Sequence, residues 1–110
     1  MQPPGPLNLI AATNFSFDGA SGESDFEFDT TAEAPLLDAG GASAAKWSVR
    51  FEGTRYVGVT IAKTGYNVLH VTFTATGPEA GIDVCGYTNA PSDISDALGR
   101  QLAAFADFPL

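Results

Sequence analysis

The chain has 110 residues, 45% of them hydrophobic and 16% charged, with a formal net charge of −8. That length suits one domain with one core, and the charged fraction falls well below the roughly 25% of an ordinary soluble domain. One cysteine, Cys85, excludes an intramolecular disulfide and a multi-cysteine metal cluster. The negative charge disfavours phosphate backbones and anionic membrane surfaces as partners.

The charge is uneven. Residues 1–45 contain seven acids and no base, whereas residues 46–110 carry six acids and five bases. The expected domain is a single β-rich unit over 1–110, opening with an extended arm over 1–12 that begins Met1-Gln2-Pro3-Pro4-Gly5-Pro6. This start has neither the basic head nor the apolar run of a secretory signal, and eighteen consecutive apolar residues occur nowhere. Synthesis in the cytoplasm without signal-directed export is the expectation. The Asn14-Phe15-Ser16 sequon is set aside on that ground.

Residues 13–31 read as a β-hairpin. Phe15, Phe17, Phe26 and Phe28 alternate onto one face, while Ser16, Asp25, Glu27 and Asp29 take the other, around a Gly-Ala-Ser-Gly tip. Residues 32–45 contain Pro35 and a Gly-Gly pair without a sustained period, which predicts a long loop suited to recognition.

Alternation returns over 46–88 and predicts a four-stranded meander. Trp47, Val49 and Phe51 face inward, and Gly53-Thr54 has the form of a type II′ turn. The next strand puts Val57, Val59 and Ile61 on one face. In Tyr66 to Thr76, Leu69, Val71, Phe73 and Ala75 face the core, with Val68, His70, Thr72 and Thr74 outward; Gly77-Pro78 ends that strand, and Ile82 to Tyr87 forms the last. A helix over 92–106 follows, with Ser92 as N-cap, Asp93 and Asp96 in the first turn, and Ile94, Ala97, Leu98, Leu102 and Phe105 as its apolar stripe. The fold class is therefore mainly β: a small antiparallel sandwich or curled sheet of about six strands with one C-terminal amphipathic helix.

No motif carries chemistry alone. His70 is the one histidine and reads first as an exposed strand residue. Cys85 within Val84-Cys85-Gly86 reads as a small core hydrophobe, and a Cys85–His70 nucleophile and base pair would need spatial proximity that spacing does not provide. Asp18 to Asp25 alternates oxygen-bearing side chains but lacks the ligand ladder of a calcium loop. Gly53 to Gly58 leads into no helix, so it is not a phosphate loop. No catalytic residue, cofactor or metal is assigned.

The acidic hairpin residues Asp18, Glu23, Asp25, Glu27 and Asp29 are the candidate partner-binding set. Two functions follow. The first is a non-enzymatic structural protein that joins other protein subunits as a homo-oligomer or in a larger assembly, such as a phage-virion component, because a small-residue, weakly charged surface suits close approach. The second is an acidic inhibitor or nucleic-acid mimic that blocks a basic protein surface.

Overall fold

The computed structural model describes residues 6–37, 41–88 and 94–110, with side chains from Ser43 onward in the second stretch. The proposed N-cap Ser92, Asp93, and the beginning of the arm lie outside the described residues. Within them the chain is mainly β. Seven strands, β1 (Leu9–Phe17), β2 (Ser21–Phe28), β3 (Trp47–Phe51), β4 (Thr54–Gly65), β5 (Val68–Pro78), β6 (Val84–Tyr87) and β7 (Phe105–Pro109), form one curled half-barrel sheet in the order β1-β2-β5-β4-β3-β6-β7. Every neighbouring pair is antiparallel.

The order makes a Greek key: β3, β4 and β5 are consecutive hairpin neighbours, and β6 returns by a longer connection to lie beside β3. The sequence reading placed this last strand at the end of a meander; the structure starts it at Val84 and leaves Ile82 71% exposed. Three contacts hold the crossing segment over the β3–β4 turn. Arg50 Nε donates to the Ile82 carbonyl at 2.8 Å, Glu79 N–H to the Gly53 carbonyl at 2.9 Å, and Glu52 N–H to Asp83 Oδ1 at 2.8 Å.

Seven antiparallel strands leave the two edges, β1 and β7, pointing the same way. They meet where they begin, through a parallel bridge between Leu7 and Leu102. Each edge is unsuited to pairing with another strand: β1 is bulged, with Asn14 at φ 50, and β7 carries Asp107 at φ 62 followed by Pro109. The tight β1–β2 and β3–β4 turns occupy one end of the sheet, the turn end. The long β2–β3 and β6–β7 connections occupy the other, the loop end.

The core fills the concave side. Phe26 and Phe28 of β2, Trp47 and Val49 of β3, Leu69, Val71 and Phe73 of β5 and Tyr87 of β6 are buried, as their two-residue period predicts. Phe26 stacks on the Trp47 indole with ring centroids 4.3 Å apart. In β4 the inward face differs from the sequence reading. Tyr56 and Gly58 are buried and Val59 is 54% exposed, and a bulge between Gly58 and Thr60 then brings Ile61 back against the core. Gly58 is required because a Cβ there would collide with the Ala44 carbonyl of a 3-10 helix, Gly41–Lys46, lying where the sequence suggested only loop. The β3–β4 turn is centred on Glu52 and Gly53, at φ 49 and 81, which is the type I′ pattern rather than II′.

The C-terminal helix does not form: among the described residues there is no α-helix. Residues 94–102 make a miniature hairpin instead, with Ser95 bridged to Gln101 and the Leu102 N–H donating to the Ile94 carbonyl at 2.9 Å. Gly99 at φ 83 and the Asp96 carboxylate explain the switch. Asp96 accepts the N–H groups of Leu98 and Arg100, each at 3.0 Å, so the side chain takes donors that a helix would use along its axis. The apolar residues used to infer a stripe split accordingly: Ile94 and Leu102 are buried, while Leu98 is 63% exposed. No helix among the described residues is long and apolar enough to cross a membrane.

Candidate functional site

The acidic row stands where alternation places it. Ser24, Phe26, Phe28 and Thr30 point inward and are buried, so Glu23, Asp25, Glu27 and Asp29 project from the convex face. β2 is paired on both sides, to β1 and to β5, so these carboxylates do not guard a sheet edge.

Nearly all of the row has a partner within the chain. Asp18, at the β1–β2 turn, accepts N–H bonds from Ala20 at 2.9 Å and Ser21 at 2.8 Å; these backbone donors hold its carboxyl below the ordinary value. Asp25 receives His70 Nδ1 at 2.7 Å and Asn14 Nδ2 at 3.1 Å. Its partial burial pushes the pKa up, but the His70 and Asn14 bonds with the charge of His70 outweigh burial and leave it lowered. Glu27 accepts Asn67 Nδ2 at 3.3 Å. Asp29 accepts the Asn8 N–H at 3.0 Å and Asn8 Nδ2 at 2.9 Å, and Arg100 lies 3.4 Å from its Oδ1. There too burial raises the pKa, and the Asn8 bonds and Arg100 charge more than reverse it.

At the loop end, Arg100 joins this row to the hairpin of residues 94–102. Its Nε donates to Asp96 Oδ2 at 2.7 Å and its Nη2 to the Asp29 carbonyl at 3.0 Å. Asp96, with its side chain fully buried, is first among the groups that raise the Arg100 pKa further. Around this network, backbone bonds gather three connections: Leu36 N–H to the Tyr66 carbonyl at 2.8 Å, Leu37 N–H to Ser95 at 2.9 Å, and Ala97 N–H to Pro35 at 2.9 Å. The cluster presents Leu37, Tyr66 and Leu98 at 50%, 48% and 63% exposure. Sequence reading singled out the 32–45 loop but missed this trio, because each apolar residue comes from a separate connection and no period links them.

His70 and Cys85 do not meet. β4 and β3 lie between β5 and β6, and the register sets Cys85 level with Ala75, five residues along β5 from His70. His70 is on the convex face, whereas Cys85 is in the core, where burial pushes its thiol up to about 12. Among the described residues no three His, Cys, Asp or Glu side chains converge on one metal position. A concavity of about 430 Å³ beside the Asp18 to Asp25 stretch is lined by Ser16, Asp18, Ser21, Glu23 and Thr72, with no nucleophile and base in contact.

Comparison of the chain with family models, with curated proteins and with solved structures gave no match.

Proposed function

We propose that the chain is a non-enzymatic assembly protein that docks onto other protein subunits through its loop end, in the manner of a capsid-decorating or tail-associated virion component. One observation carries this reading: Leu37, Tyr66 and Leu98 stand exposed on one loop cluster that the buried Asp96 carboxylate, with Arg100 and Asp29, holds in place. Large apolar side chains presented by fixed loops are what a protein interface uses at its centre. The blunted β1 and β7 edges favour docking by this surface over edge-to-edge sheet growth. Light scattering over a concentration series tests the reading. The intact chain is expected to form a defined multimer, and Leu37→Asp with Leu98→Asp to remain monomeric with an unchanged circular dichroism spectrum. A chain that stays monomeric throughout refutes self-assembly through this surface.

A second reading, an acidic inhibitor of a basic protein surface, rests on Glu23, Asp25 and Glu27, which repeat every ~6.7 Å along β2, with Asp29 just beyond its end. Its support is weaker because Asp25 and Asp29 are engaged by Asn14, His70, Asn8 and Arg100. Glu23→Gln with Glu27→Gln would weaken such binding and flatten its salt dependence, yet leave loop-end assembly intact.

A further inference from the structure

The convex face of the β2–β5 pair sets the one histidine of the chain between two carboxylates. Asp25 lies directly across from His70 in the register, and Glu23 lies two residues nearer the turn, across from Thr72. Asp25 Oδ1 is 2.7 Å from His70 Nδ1, and Glu23 Oε2 is 3.6 Å from Nε2. An ionised Asp25 accepts from Nδ1–H, so in the neutral ring the lone pair sits on Nε2 and faces Glu23. Two electron-rich atoms then face each other across a gap too long for a hydrogen bond. Zinc bonds of about 2.0–2.2 Å to nitrogen and oxygen, opened at the tetrahedral angle, set the two ligand atoms about 3.4 Å apart. The gap therefore fits a shared ion with little movement.

We propose that His70 Nε2 and Glu23 form a seat for a zinc-class divalent cation, with Asp25 as the positioning carboxylate. A metal-binding histidine characteristically donates its other ring N–H to a carboxylate, which fixes tautomer and ring orientation. Asp25 does this here, and Asn14 Nδ2, 3.1 Å from its second oxygen, holds Asp25 in turn. Side-chain exposures of 30% for His70 and 54% for Glu23 admit water to the remaining coordination positions. Imidazole with carboxylate suits zinc better than calcium or magnesium, which take oxygen sets. Two protein ligands make an exchangeable site. Occupancy would offset charge at the middle of the acidic row and tie β2 to β5. The competing occupant is a proton, which makes the imidazolium a simple ion-pair partner of both carboxylates.

The test titrates the metal-free full chain with zinc chloride near neutral pH, following the His70 ring resonances by NMR and the heat by calorimetry. One zinc per chain is expected, with the ring resonances shifting or broadening to saturation, and calcium chloride leaving them unmoved. His70→Gln should remove the site, Glu23→Gln should weaken it at least about tenfold, and Asp25→Asn should weaken it roughly 10- to 100-fold at unchanged circular dichroism. Glu23 is the most exposed of the three, so its variant keeps the test decisive if His70→Gln disturbs folding. Absence of saturation below about 1 mM zinc, which leaves the proton as sole occupant, overturns the proposal. Saturation unchanged by Glu23→Gln, or an affinity indifferent to Asp25→Asn, overturns it equally.

Discussion

Replacing Asp96 by alanine separates the hairpin of residues 94–102 from the helix that the sequence suggests. In a helix Asp96 would be a first-turn acid facing water, and its loss would cost about 0.5 kcal/mol or less. In the structure the carboxylate is buried and accepts Leu98 N–H, Arg100 N–H and Arg100 Nε at 3.0, 3.0 and 2.7 Å. Loss of the charge-assisted Arg100 bond costs about 1.5–3 kcal/mol, and each stranded backbone donor adds about 1 kcal/mol where water does not reach it. Leu98 is exposed and Arg100 keeps Asp29, so the sum settles at about 3 kcal/mol. At roughly 4–5 °C per kcal/mol for a domain of this size, the thermal midpoint should fall by about 12–15 °C. Urea denaturation of Asp96→Ala, Arg100→Ala and the double variant would measure both the loss and the coupling. A loss under about 1 kcal/mol, with no coupling between the two residues, would refute the Asp96–Arg100 network.

Three further outcomes are expected. Gly58→Ala should cost about 2–3 kcal/mol in urea denaturation, because the new methyl meets the Ala44 backbone carbonyl rather than a side chain that can rotate away. Asp25 and Asp29 have folded pKa values below the ordinary 3.8, so their contribution to stability is complete above that value and is lost as pH falls through the lowered folded values. Urea midpoints taken from neutral pH down through this acid window should therefore decline, and Asn8→Ala or Asn14→Ala should make the decline shallower. Cys85, with its thiol raised to about 12 by burial, should resist iodoacetamide in the native chain at mildly alkaline pH and react only as the chain unfolds; fast labelling of native protein would contradict its placement.

The pleat was readable from the sequence because burial on one sheet face imposes a period of two. Phe26, Phe28, Trp47, Val49, Leu69, Val71 and Phe73 all occupy the side their spacing assigns. What spacing does not contain is the identity of the neighbouring strand. β6 lies beside β3 because Arg50, Glu52 and Gly53 hold the crossing segment, contacts that span about thirty positions of chain. The β4 bulge was hidden for a similar reason: Val57, Val59 and Ile61 alternate well, yet Tyr56 packs on Phe17 and Gly58 admits the Ala44 backbone, and these reverse the face. In the segment after Ile94, helical spacing coincided with a strip of apolar residues, while the turn chemistry of Asp96 and Gly99 decided the outcome. For the acidic row, direction was legible and partners were not, since Asn67 reaches Glu27 across forty positions and Arg100 reaches Asp29 across seventy-one.

The odd number of strands has a practical consequence for anything joined to this chain. The described chain enters β1 through Leu7, beside Leu102, and ends at Leu110, whose N–H meets the Asp83 carbonyl at 3.2 Å at the opposite end of the sheet. The molecule measures 47 Å along its long axis. The two ends do not span it: Leu110 is eight residues beyond Leu102, which is bridged to Leu7, so they lie no more than about 33 Å apart. Fusions fore and aft would leave from opposite ends of the sheet, while a circular permutant would need a tether of roughly 10 residues.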